Sequence, residues 1–359
     1  MLALAGYPLD IRCTVLDPAS HACASQVARS IVGAYDDPVA LARLASDQDV
    51  ITYEFENVPV EALRAVAERV PVYPPPEALE ATQDRLLEKE LFEKVGVESA
   101  PFAPVDSPGS LAEALEQIGV PAVMKTRRLG YDGKGQRVIH DPRLAEAAWL
   151  SLGGVQSILE GLVRFDREVS MVAVRGLDGD SGFYPLVENS HREGILDVTR
   201  ASAPDLRIGL QQTAEHYIRE MMDLLGYVGV LAIEMFQVGE RLLGNEIAPR
   251  VHNTAHWTIE GAETSQFENH LRAITGLPLG STAPLGHSAM VNLIGSAPEP
   301  AALTAIPGAH LHLYGKEPRP GRKIGHVTLR TDDPLVLEHS LLQLRGLVED
   351  ASDRGPWPT

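Results

Sequence analysis

Two acids in one short ribbon of sequence are placed to do metal chemistry. Within residues 226–257, residues 230–236 have strand character, 238–241 read as a turn, and 242–247 as the returning strand. With a three-residue loop centred on Glu240, Glu234 faces Glu246 directly. Like charges opposed on neighbouring strands repel, so the pair calls for a shared proton or a cation. A hard divalent ion, most simply Mg²⁺ carrying phosphate oxygens, meets that need. Asn245 and Asn253 add oxygen donors, and Arg250 and His252 follow where a bound anion would sit. The competing reading is a surface hairpin whose acids are merely solvated.

Phosphate-binding groups recur elsewhere. A short strand over 121–125 delivers Lys125 at its end. The next segment carries Gly130, Tyr131, Asp132, Gly133, Lys134, Gly135 and Gln136, whose glycines let backbone N–H groups approach a phosphate closely. It lacks the ending of a Walker loop, and a flexible hairpin tip is an equal alternative. Arg85 and Lys89 lie one turn apart on an expected helix over 77–95. A strand over 156–159 ends in Glu160-Gly161-Leu162-Val163; an acid followed by open backbone can read a flat heterocycle. Glu168 begins a further strand over 168–174, and His191 follows another over 183–187. On its own that histidine reads as structural. Lys316, Arg319, Arg322 and Lys323 crowd a loop of prolines and glycines, which suits a phosphate ester or simply a solvated basic loop.

The elements that position these groups fall into three units. A chain of 359 residues exceeds one ordinary core. Residues 1–76 form a small α/β unit with strands over 11–16 and 50–55 and a helix over 21–30; Glu54 and Glu56 lie at a strand exit, where open α/β sheets bind ligands. The chain opens on helix at residues 1–5, with no preceding strand or glycine-rich turn. Pro74-Pro75-Pro76 marks the boundary to a second unit over 77–285, which includes an amphipathic helix over 213–225. A third unit covers 286–359, where His310 and His312 alternate with leucines as the outward face of a strand. A formal charge of −18 disfavours nucleic acid. No apolar run spans a bilayer and no signal-peptide pattern opens the chain, and the two cysteines, Cys13 and Cys23, suit a reducing cytoplasm.

The order Arg85, Lys125, glycine-rich flap, Glu160, Glu168 and the Glu234/Glu246 hairpin resembles the ATP-grasp superfamily. Three stretches, 131–136 (YDGKGQ), 245–253 (NEIAPRVHN) and 319–326 (RPGRKIGH), resemble the N5-carboxyaminoimidazole ribonucleotide synthetase family, over essentially the whole chain. The resemblance implies an α/β (α+β) fold: a Rossmann-like pre-ATP-grasp unit lacking its first strand, an ATP-grasp unit whose small subdomain covers about 97–160, and a small β-rich C-terminal unit. It implies ATP-dependent carboxylation of 5-aminoimidazole ribonucleotide with bicarbonate, by a cytoplasmic homodimer with Mg²⁺, or alternatively Mn²⁺, as cofactor. Arg85, Lys125 and the 130–136 flap would contact the ATP phosphates, Glu160 to Val163 the adenine, Glu168 the ribose, and His191 and Asn245 the nucleotide. Glu234 and Glu246 would hold the metal. Glu54, Tyr131, Asp132, Lys134, Lys316, Arg322 and Lys323 would grip the ribonucleotide, with Arg250 and His252 facing the carboxyl group. Rival readings are a formate-dependent formyltransferase of the same superfamily, a biotin carboxylase, and a non-catalytic nucleotide-binding protein. The basic C-terminal loop argues against the first two, and the full set of clamp residues against the third.

Overall fold

A computed structural model describes residues 1–130, 133–203 and 205–351. Tyr131 and Asp132 therefore lie outside the described residues. In the first unit, α1 (Leu2–Gly6) buries Leu2 in a core shared with Phe267 and Leu271. Strand β1 (Thr14–Asp17) pairs in parallel with β2 (Arg29–Val32). The helix expected over 21–30 is replaced by one 3-10 turn, Cys23–Gln26, before the chain extends into β2. That segment has no apolar face to bury, and Val27 is exposed. Helix α2 (Pro38–Ala45) starts where the Asp37 carboxylate accepts from the Val39 N–H at 2.9 Å, and α3 (Val60–Ala67) follows. The strand expected over 50–55 shrinks to a single parallel bridge, Ile51 to Val72. No described strand flanks Ile51 on its other side to extend the ladder.

The helix expected over 77–95 is two helices, α4 (Pro76–Gln83) and α5 (Arg85–Lys94). Asp84 between them is extended; its carboxylate caps α5 through the Leu86 N–H at 3.0 Å and accepts two bonds from Arg127 at 2.8 Å. Helix α4 is shared: Leu79 enters the first unit's core while Ala78 enters the next.

The small subdomain is a four-stranded antiparallel sheet made of β3 (Phe102–Val105), β4 (Ala122–Thr126), β5 (Gln136–Ile139) and β6 (Ser157–Gly161), in the order β3-β6-β4-β5. Helices α6 (Pro108–Ile118) and α7 (Ala145–Ser151) cover it, burying Leu111 and Trp149 with Met124 and Leu159.

The large sheet contains β7 (Arg167–Arg175), β8 (Ser181–Phe183), β9 (Val187–Arg192), β10 (Ile195–Arg200), β11 (Gly229–Val238), β12 (Arg241–Ala248), β13 (His287–Ile294), β14 (Ala309–Leu313) and β15 (Lys323–Thr331). Its order is β12-β11-β7-β9-β10-β13-β15-β14, with β8 on β7. The C-terminal strands thus continue the sheet of the preceding unit. The strand expected over 183–187 is divided, with Tyr184 turned into the core between β8 and β9. Helix α8 (Ile208–Leu224) packs Ile218, Met221 and Met222 on one face; after the short α9 (Thr258–Gly261), α10 (Gln266–Thr275) packs Phe267 and Leu271 on the other. Helices α11 (Pro300–Thr304) and α12 (Pro334–Ala351) complete the C-terminal core around Val291, Leu329 and Leu341. Of the two alternating histidines, His310 is exposed but His312 is not outward: its Nε2 lies 2.7 Å from Glu260 Oε1 and its ring stacks on His326. No helix among the described residues is long and apolar enough to cross a membrane.

Candidate active site

Strands β11 and β12 place Glu234 directly opposite Glu246. The route differs from the expected three-residue loop. Val238 pairs with Arg241 around a two-residue turn, Gly239-Glu240, with Gly239 at φ 60. The register then shifts by one between Met235–Gly244 and Glu234–Glu246, leaving Asn245 as the extra residue of a β-bulge. Without that bulge Asn245 would face Glu234. The shift also lets both Leu242 and Ile247 reach the core, although five residues apart in a strand they would point to opposite sides.

Helix α5 cradles the bulge. Glu88 Oε1 accepts from the Ile247 N–H at 2.6 Å. Lys89 Nζ donates to the Asn245 carbonyl at 2.9 Å and lies 3.5 Å from that of Gly244. A β-carbon on Gly244 would meet the Phe92 ring and Val97 at 2.9 Å, so only glycine lets the ribbon lie this close. From the N-terminus of the same helix, Arg85 Nη1 donates to Glu246 Oε2 at 3.2 Å. In the small sheet, Lys125 Nζ donates to Glu160 Oε2 at 2.9 Å, with Lys89 Nζ at 3.8 Å from the same oxygen.

The field around these groups is divided. Burial pushes the Glu234 carboxyl up to about 7, Glu246 and Glu168 adding to the rise and His191 and Lys323 opposing it. Burial would also raise Glu246, but Arg85 and Lys125 outweigh it and hold it below the usual carboxylate range. Burial likewise works to raise Glu160, yet Lys125 and Lys89 bring it down to about 2. Burial pushes Glu88 up to about 8, Glu246 adding to it. Facing acids of unequal proton affinity, one beside an arginine and one beside a histidine, fit a site that takes a divalent cation together with an anion. Among the described residues no group of three or more His, Cys, Asp or Glu side chains forms a ready-made metal cage, so such an ion would complete its shell with ligand oxygens.

Glu168 receives a hydrogen bond from His191 Nδ1. Burial would lower the His191 pKa, but this bond and the charges of Glu234 and Glu168 raise it. His252 Nε2 is 3.6 Å from Glu234 Oε1; burial, then Arg250 and Lys323, keep this ring neutral, its pKa well below the ordinary value. Lys323 is thus brought to the cluster from β15. Arg250 Nη2 is 2.9 Å from Glu56 Oε2, so it is Glu56 that ties the first unit to the cluster, whereas Glu54 is exposed. Arg322 Nη1 donates to the Glu317 carbonyl at 3.1 Å, and Lys316 Nζ stands 5.2 Å over the Tyr314 ring. Two flap glycines lie close to the cleft's walls: a β-carbon on Gly133 would lie 3.0 Å from Gly194 Cα at the β9–β10 turn, and one on Gly130 3.5 Å from Arg85 Nη2. Lys134 and Gln136 flank Gly135, whose φ is 74.

The buried Glu160 carboxylate accepts from Lys125. Of the backbone beyond it, Gly161 N–H bonds to Pro101 and Leu162 N–H to Pro121. Asn253 is drawn away as a metal oxygen donor: its amide exchanges bonds of 3.1 and 2.7 Å with Asn292 on β13. Sequence reasoning noted Glu56 only as an acid at a strand exit, and missed Glu88 and Asp84. Buried charges at the start of α5 are visible only when their partners across the fold are known.

Comparisons with known proteins match the same layout. Residues 1–83 match the ribonucleotide synthetase preATP-grasp domain, 90–267 the ATP-grasp domain, and 288–340 the phosphoribosylaminoimidazole carboxylase C-terminal domain. The chain is 50% identical to the N5-carboxyaminoimidazole ribonucleotide synthase of Pseudomonas aeruginosa, over 97% of this chain and 96% of that protein. A crystal structure of the synthetase from Thermus thermophilus superposes with a TM-score of 0.95 at 56% identity, covering 100% of this chain and 97% of that one. A synthase from Aspergillus clavatus, in complex with ADP and 5-aminoimidazole ribonucleotide, superposes at 0.91 with 30% identity, covering 98% and 95%.

Proposed function

The chain belongs to the N5-carboxyaminoimidazole ribonucleotide synthase family, and on that premise we propose how its residues share the work. It is an ATP-grasp carbon–nitrogen ligase of purine biosynthesis, joining a carboxyl group to the exocyclic amine of 5-aminoimidazole ribonucleotide at the expense of ATP. We take bicarbonate as the carboxyl source. The observation that carries the site assignment is the pairing of Glu234 with Glu246 beside Arg85, Lys125 and the glycine flap.

Glu234 and Glu246 would hold Mg²⁺, with Mn²⁺ as an alternative, and the ion when bound would neutralise phosphate charge. Arg85, now on Glu246, and Lys125, now on Glu160, would turn to the ATP phosphates, as would the amides of 130–136. Glu160 and the backbone through Val163 would hold the adenine, and Glu168 with His191 the ribose and nucleotide. A bicarbonate oxygen attacks the γ-phosphorus in line; the bond to the β–γ bridging oxygen breaks, giving ADP and carboxyphosphate. The flap keeps water from that short-lived anhydride. The amine nitrogen of the ribonucleotide then bonds to its carbon, inorganic phosphate leaves, and the amine gives up a proton.

Lys316, Arg322 and Lys323 would hold the ribonucleotide, together with Lys134 and with Tyr131 and Asp132 outside the described residues. Arg250, positioned by Glu56, and neutral His252 would orient the carboxyl group. From the first unit we favour Glu56 over Glu54 as the acid that reaches this end of the cleft. We also infer a cytoplasmic homodimer, on family resemblance alone. Glu246→Gln tests the assignment: ADP formation should fall at least about 100-fold in a protein that still folds. Near-normal turnover would remove Glu246 from the reaction.

A further inference from the structure

Lys89 is among the most deeply buried large side chains of the protein, with an accessibility of 1%. A buried ammonium is costly unless it is bonded, so its partners identify what it is for. They come from both halves of the clamp. On the large-sheet side Lys89 Nζ donates to the carbonyl of Asn245, the residue that makes the bulge. On the small-sheet side it stands 3.8 Å from Glu160, the acid that holds Lys125. Its neighbour Glu88, also 1% exposed, takes the N–H of Ile247 just past Glu246. Phe92, one turn on, fills the space beside Gly244. Successive turns of one helix thus contact residues 244, 245 and 247, leaving Glu246 as the member of the bulge that points into the cleft.

We propose that Lys89 and Glu88 are positioning residues for the metal pair: they fix the Asn245 bulge, and with it the facing of Glu246 to Glu234, and Lys89 keys that bulge to the Lys125–Glu160 pair of the opposite sheet. Both side chains act through protein groups, Lys89 through the Asn245 carbonyl and Glu160, and Glu88 through the Ile247 N–H. The bulge is not favoured by the hairpin itself, because its two-residue turn already sets a regular register that Asn245 must break. A bonded carbonyl and a bonded N–H on either side of Glu246 supply what the ladder loses there. This inference rests on the reading of Glu234 and Glu246 as metal ligands.

The test reads binding rather than turnover. Free Mn²⁺ is followed by its electron paramagnetic resonance signal in titrations of the full-length protein with ADP present. Glu246→Gln provides the reference for a lost ligand, and Leu341→Ala, in the C-terminal core, the reference for general destabilisation. Lys89→Met should weaken Mn²⁺ binding about 10–100-fold, the range seen when groups behind a ligand are removed. The KM for 5-aminoimidazole ribonucleotide should stay within about twofold, since that site lies on other elements. If Lys89→Met does not fold, Lys89→Gln, which keeps a donor but not the charge, should weaken Mn²⁺ binding in the same direction. Glu88→Gln, retaining an acceptor for the Ile247 N–H, should bind Mn²⁺ more tightly than Glu88→Leu. Unchanged Mn²⁺ affinity in a folded Lys89 variant overturns the proposal, as does an equal loss in Leu341→Ala at a matched drop in Tm. If Glu246→Gln itself leaves Mn²⁺ binding intact, it is the metal assignment that fails instead.

Discussion

At the scale of single residues, charge is spent in pairs. Arg85 leans on Glu246, Lys125 on Glu160 and Arg250 on Glu56, so each cation proposed to meet a substrate already has an acid to leave. Arg322 is different. Its partner is a main-chain carbonyl, and it stands between Lys316 and Lys323, the first residue of β15. Arg322→Ala should therefore raise the KM for the ribonucleotide at least about tenfold while the KM for ATP moves little; steady-state kinetics with each substrate varied would show it, and equal changes in both would count against the assignment. The facing of Glu234 and Glu246 was legible because both acids belong to one ribbon of sequence. The partners of Glu56 and Lys89 were not. A lone acid two residues from another, or a lysine on a helix, carries no mark of its partner until Arg250 and Asn245 are brought to it from about 160 to 190 residues away.

Among the elements, the informative departures are breaks. One long helix over 77–95 satisfied the apolar periodicity, and its division came from Asp84, whose carboxylate caps α5 and holds Arg127 and Arg128. The break lets Arg85 begin a helix aimed into the cleft. Replacing Asp84 by alanine removes a cap worth about 1 kcal/mol and strands partly buried arginine charge, which together should cost about 2–4 kcal/mol. Urea unfolding should register that loss, and a change below about 0.5 kcal/mol would show the ion pairs to be idle. The bulge teaches the same lesson in a strand. The sequence of the ribbon placed Glu234 opposite Glu246 through a wrong turn length, and the correct pairing emerged because the bulge adds back the residue the shorter turn removes. Turn chemistry was readable; a bulge imposed by a neighbouring helix was not.

Across the whole molecule, the units are joined by buried polar pins as well as by apolar packing. His270 on α10 accepts the Val230 N–H at Nδ1, 3.1 Å, and so carries its proton on Nε2, which reaches Thr52 Oγ1 of the first unit at 2.8 Å. Burial lowers its pKa from 6.5 to about 4. The unfolded chain therefore binds a proton between about pH 6.5 and 4 that the folded protein refuses, and stability is fully present above 6.5 and lost as pH falls through that window, at up to about 1.4 kcal/mol per unit. His270→Gln, followed by unfolding free energy from pH 7 to 4.5, should show a shallower fall than the wild type; the same slope in both would mean His270 is not the group that titrates. The three-part organisation was readable from prolines and motifs. The continuity of one sheet from β12 to β14 was not, because nothing in a strand's own residues says which distant strand lies beside it.

The proposed reaction uses ATP to place a carboxyl group on the amine nitrogen of 5-aminoimidazole ribonucleotide through the Glu234–Glu246 pair. It is tested most directly by supplying ¹³C-bicarbonate, ATP, Mg²⁺ and the ribonucleotide, and following labelled carbamate by NMR beside ADP release. One labelled carbamate per ADP, with both signals lost in Glu246→Gln, is the expected result. ADP formed without labelled carbamate, or label fixed undiminished by Glu246→Gln, would contradict it.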